Sequence, residues 1–239
     1  MDVRVISIGA LSANPIWNER HPVRTGHSTT TLVRAAGAVI LVDPGLPAAA
    51  LVPRLHERTG LTPDKVTHVF LTSFNPECRR AIEAFPDAAW LIADAEREAV
   101  GVPLAHGLAR LAETAESAAA AGEDDEGDFE TMRRVVERDV AVLQRCQPAP
   151  DRLAGEVSLF PLPGVSPGLC GVLVPTPTQT ILICGDAIAT IDHLERGQVL
   201  PDCHDREQAQ ESFKEAVEIA DVLVPGRDNI AMNPTRRPF

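Results

Sequence analysis

Apolar residues recur along the chain in short runs broken by polar corners, and these runs predict the elements. VRVISIG (3–9) has strand length, and TTTLVRAAGAVILVDPG (29–45) reads as a hairpin turning at Gly37 and ending at Pro44-Gly45. A helix is predicted from about Pro47 to Gly60. A strand over 66–71 then runs through a polar corner into a helix from about Pro76. A short strand over 88–93 and an acidic helix near 94–100 follow. Strand and helix alternate, as in layered α/β folds.

Residues 104–147 break this rhythm. They are alanine-rich, then acidic over 121–128, then helical, with Phe129, Met132, Val136, Val140 and Leu143 on one face. The segment reads as a helical insert covering the core edge, with a lid or a homo-oligomer surface as the alternative. Strands return at 155–164, 169–176 and 179–187. A helix over 206–220, capped by Asp205 with Gln208 as its capping-box partner, precedes a last strand in DVLVPG. One domain over residues 1–239 accommodates the whole pattern.

Charge narrows the choice of partners. The 239 residues carry a net charge of −12, and the only lysines are Lys65 and Lys214. An acidic surface repels phosphate backbones, so no nucleic-acid partner is expected. The start MDVRVISIGA has no basic stretch followed by an apolar one, and no apolar run reaches membrane-spanning length, so a cytoplasmic protein without membrane association is expected. Five scattered cysteines, none in C-x-x-C spacing, argue against a disulfide framework or a thiolate zinc finger.

Candidate chemistry gathers at the corner SFNPEC, with Ser73, Asn75, Glu77 and Cys78. A purely structural account serves it: Asn75 as helix N-cap, Pro76 in the first turn, Glu77 suiting the helix dipole and Cys78 packing behind. A thiol at a helix N-terminus can also have a lowered pKa, which keeps Cys78 open as a nucleophile or ligand. His193 follows a Gly-Asp turn closely, and His27 precedes a strand. The run PDCHDREQ (201–208) holds several donors, but adjacent side chains seldom converge on one ion. Neither a G-x-S-x-G elbow nor a phosphate-binding P-loop is present.

Five pieces in order resemble the metallo-β-lactamase-fold hydrolases. AVILVDPG resembles their strand ending in Asp-x-Gly, and THVFLTSFNPEC the strand entering their His-x-His-x-Asp-His motif. LFPLPGVSPGLCGVLVPT resembles their Pro-Gly-His-Thr-Pro-Gly loop, ILICGDAI their Gly-Asp turn and VLVPGRDN their terminal Pro-Gly-His. The resemblance implies an α/β protein, an αββα sandwich of two mixed β-sheets flanked by helices, with its site along one edge of the sheets.

Carried over residue by residue, the family's metal ligands fall on Ser73, Asn75, Glu77, Cys78, Val165, Asp186 and Arg227, of which only Asp186 is the expected residue type. Zinc needs three or four imidazole, thiolate or carboxylate donors, and Arg227 brings a fixed positive charge instead. The expectation is a protein with no cofactor, in which Arg227 pairs with Asp186 and the pocket edge binds a small anion or organic acid, or serves only as scaffold. The alternative is a hydrolase with one zinc or other divalent metal on Asp186, Glu77 and Cys78 or His193. A third reading is an interaction protein working through the insert.

Overall fold

The computed structural model describes residues 1–121 and 126–236. The first sheet runs in the order β1 (Asp2–Ser7), β2 (Thr30–Ala35), β3 (Ala38–Val42), β4 (His68–Leu71), β5 (Ala89–Ile92) and β6 (Gln147–Pro148). Its first three strands are antiparallel and its last four parallel. The second sheet holds β7 (Arg152–Ala154), β8 (Val157–Pro161), β9 (Cys170–Pro175), β10 (Thr180–Gly185), β11 (Val222–Pro225) and β12 (Ala231–Met232) in sequence order. Only β10 and β11 pair in parallel there. Both sheets are therefore mixed.

The strands are apolar on both faces because both faces are covered. Along β3 and β4, Ile40, Val42 and Phe70 point between the sheets, towards Val172, Val174, Ile183 and Val224 of the second sheet. The alternate residues Leu41, Val69 and Leu71 point outward, under Leu51 and Leu55 of the helix α1 (Ala48–Thr59). The second sheet repeats this alternation: Leu182 and Leu223 face outward to Ala209, Phe213 and Ala216 of a second covering helix over 206–219. A period of two in each strand thus builds an αββα sandwich.

Between β5 and β6 the chain forms α2 (Asp94–Ala121) and α3 (Glu126–Arg145). The insert therefore begins ten residues earlier than the sequence suggests, because the acidic helix near 94–100 and the alanine-rich segment form one helix that continues through Pro103. Residues 122–125 of the acidic stretch, and the Phe129 side chain, lie outside what is described. Among its described side chains, the apolar face of α3 is buried against the body at the C-terminal end of the helix. Val142 and Leu143 are buried there, whereas Met132 is exposed. Two short elements, α4 (Ile191–Arg196) and β12, have no strong sequence signal; the helix over 206–219 is α5 (Arg206–Ile219).

The helix expected from Pro76 is a correction. The segment makes one 3₁₀ turn at Pro76–Cys78 and another at Ile82–Ala84. An α-helix would need the Ala81 N–H to bond the Glu77 carbonyl. That carbonyl instead accepts from Ser28 N at 3.1 Å and Ser28 Oγ at 3.0 Å, and Ala81 N donates to Pro44 O at 2.9 Å. Tertiary bonds to the neighbouring loops outcompete the local helix.

Candidate functional site

The corner after β4 is held from three sides. Asp43, at the end of β3 with φ of 50°, accepts from Thr72 N at 2.8 Å and Thr72 Oγ1 at 2.6 Å. Glu96, in the first turn of α2, accepts from Phe74 N at 2.9 Å, Ser166 Oγ at 2.8 Å and Gly168 N at 3.0 Å. One buried carboxylate therefore ties the corner to the loop between β8 and β9. Asn75 caps the short turn, its Oδ1 accepting from Glu77 N at 2.9 Å.

From the opposite sheet, β10 and β11 deliver Asp186 and Arg227. The Arg227 backbone N–H is fixed by Ala189 O at 2.7 Å. Its side chain meets Asp186 as a fork: Nε donates to Oδ1 at 2.7 Å and Nη2 to Oδ2 at 2.6 Å. Nη1 donates to Glu77 Oε2. The Arg227 and Asp186 side chains are only 2% and 6% exposed, against 27% for Glu77. Gly226 makes this approach feasible, since a Cβ there would sit 2.6 Å from Asp186 Oδ1.

Ser73, Asn75, Glu77, Val165, Asp186 and Arg227 line one cavity of about 700 Å³. The fold thus gathers six of the seven positions singled out in the sequence. Cys78 is buried behind the wall, with Sγ 3.6 Å from Ser73 Oγ. Burial, then the charges of Asp43 and Asp186, push its thiol well above its ordinary pKa, contrary to the lowered value that a helix start would have given. His193 is a buried residue of α4, with Nδ1 2.7 Å from Thr190 Oγ1, and does not line the cavity. Burial lowers its pKa. His27 is tied by its ring to Thr25 O and Ile8 O.

Two members of the site were missed in the sequence. Asp43 was visible within the Asp-x-Gly piece but carried no role; Glu96 looked like one acid among several in an acidic helix. Asp43 is fully enclosed, and burial pushes its pKa up to about 7, further aided by Asp186 and opposed by the Thr72 bonds and Arg227. Burial alone would lower the Arg227 pKa; the Asp186 charge and hydrogen bonds more than offset it, holding the guanidinium above its ordinary value.

The donor set does not fit a metal. Both Asp186 oxygens and one Glu77 oxygen are taken by Arg227, Val165 has no donor atom, and the Cys78 thiol is held protonated. Among the described residues, no three His, Cys, Asp or Glu side chains are grouped to hold an ion. The run 201–208 does not converge either: Asp205 caps α5 at Gln208 N, and the Cys203 thiol donates to Leu200 O.

Comparison with known proteins agrees with the architecture. A family model of the metallo-beta-lactamase superfamily matches residues 23–72, ending one residue before the first of the aligned ligand positions. A search of curated proteins finds no match. Among solved structures, a Thermotoga maritima protein provisionally described as a metallo-beta-lactamase aligns at 14% identity with a TM-score of 0.63, over 97% of this chain and 98% of its own. The hydrolase AbOPH of the beta-lactamase superfamily aligns at 16% identity and 0.61, over 89% and 81%. AidC, a dizinc quorum-quenching lactonase, aligns at 15% and 0.55, over 80% and 67%. With the two mixed sheets and the site at their shared edge, these matches show that the chain has the metallo-β-lactamase fold.

Proposed function

We propose that this chain works without a metal centre, and that the Arg227 guanidinium stands as a tethered cation where dizinc relatives hold their ions. The observation that carries this reading is the saturation of Asp186 by Arg227 through two parallel bonds, with Glu77 on the third nitrogen. A divalent ion would have to displace a buried guanidinium that is itself compensated by both carboxylates. Without a bound metal no water is acidified towards neutrality, so zinc-dependent hydrolysis is not the activity.

The cavity remains in the size range of small-molecule sites, about 300–1,000 Å³. Its lining holds six carboxylates (Glu19, Glu77, Glu96, Asp139, Asp186, Asp202) against three guanidinium groups (Arg20, Arg79, Arg227). That balance argues against the small anion anticipated from the sequence, and favours a neutral polar or cationic molecule. The single-metal alternative gains no support: burial holds the Cys78 thiol protonated, and His193 is buried in α4 and does not line the cavity.

The test is hydrolysis. Structural neighbours include an N-acyl homoserine lactone lactonase and an N-acyl homoserine lactone hydrolase, which makes such a lactone the natural challenge substrate. Purified protein supplied with zinc, manganese or iron(II) is expected to open it no faster than metal-containing buffer. Metal-dependent turnover that disappears in Asp186→Ala would overturn the proposal.

A further inference from the structure

Among the described residues, a buried arginine Nε without a hydrogen-bond partner, that of Arg97, lies away from this cavity. We infer that the groove between α2 and α3 binds a medium-chain fatty carboxylate, with its tail on an apolar floor and its head group at Arg97. The α2 helix separates the two spaces: Glu96 and Val100 turn towards the cavity, while Arg97, Gly101, Leu104 and Leu108 line the groove at helical spacing. Val140 and Leu143 of α3 form the facing wall of this space of about 940 Å³. From Arg97 to Leu108 the helix rises roughly 16 Å, a length comparable to an extended ten-carbon acid.

Two independent features point to that occupant. The Arg97 Nε is buried and has no hydrogen-bond partner among the described residues. Arg79, by contrast, is engaged by Asp139 and Phe74 O, and Arg145 by Pro86 O and the Trp90 ring. A buried donor without a partner is costly, and a carboxylate supplies a charge-assisted one. Glu98 also lines the groove, but it is exposed, so water screens its charge more than that of the buried Arg97 Nε. The second feature is Gly101. A Cβ there would meet nothing nearer than Leu143 Cδ2 at 3.8 Å, so packing does not require glycine. Helix propensity argues against it as well. Glycine at this place keeps the groove floor open.

Calorimetric titration of decanoate into the full chain tests the assignment. Saturable binding to one site per chain is expected. Shortening the acid by two methylenes should weaken it by up to about 15-fold, the limit for full burial. Arg97→Gln should weaken decanoate at least about tenfold while leaving decanol unchanged. Gly101→Leu should abolish binding of both, with its melting temperature confirming that the variant folds. Absence of saturable binding to the parent protein, or equal decanoate affinity in Arg97→Gln, would overturn the inference. A dimer in light scattering that Gly101→Leu dissolves would also overturn it, by making a second copy the occupant.

Discussion

Replacing Arg227 with leucine is expected to destabilise the protein by about 3–5 kcal/mol, because it strands the buried Asp186 carboxylate without a partner. For a chain of this size, that corresponds to a fall in melting temperature on the order of 10 °C. Arg227→Lys keeps the charge but loses the planar fork that serves both Asp186 oxygens, so it should recover only part of the loss. Asp186→Leu combined with Arg227→Leu should recover most of it, since replacing a whole buried pair by apolar groups is often close to neutral. The non-additivity of the two changes is the diagnostic quantity. A single Arg227→Leu variant melting within about 2 °C of the parent would mean the pair carries no structural weight.

Asp43→Asn is expected to change how stability depends on pH. Burial first, and Asp186 after it, raise the folded-state pKa of Asp43 from 3.8 to about 7. Below about pH 4 the group is protonated in both states and costs nothing. As pH rises towards 7 the unfolded chain releases this proton while the folded chain retains it, so stability falls by about 1.4 kcal/mol per unit. Above about 7 the penalty is constant. Asparagine can accept from Thr72 N, donate to Thr72 Oγ1 and tolerate the left-handed backbone. Urea unfolding between pH 4 and 8 should therefore show the variant gaining on the parent up to about pH 7, then holding a fixed lead. Parallel curves would exclude the raised pKa.

How far the site was legible follows from the kind of interaction holding each part. The strands were legible because their period-two apolar pattern serves two covered faces, as in Ile40–Leu41–Val42. The gathering of Ser73, Asn75, Glu77, Val165, Asp186 and Arg227 was legible through a family resemblance whose pieces keep their order. The missing helix at Pro76 was not, because the competing bonds come from Ser28 and Pro44, more than thirty residues away in sequence. Glu96 was hidden for a similar reason: its acceptor role is set by Phe74, Ser166 and Gly168, and a helix-start glutamate looks ordinary without them. Cys78 packs behind the corner as the structural account has it, while the lowered thiol pKa kept open beside that account does not arise, because burial beside Asp43 and Asp186 governs the thiol rather than a helix start.

The central claim is that a guanidinium, not a metal, occupies the meeting point of the two sheets. Metal content measured by plasma mass spectrometry, on untagged protein before and after dialysis against zinc, manganese and iron(II), tests it most directly. The account predicts less than about a tenth of an equivalent throughout, against the very tight retention typical of protein zinc sites. Close to one equivalent, lost on Asp186→Ala, would contradict it and show that Arg227 yields its carboxylates to an ion.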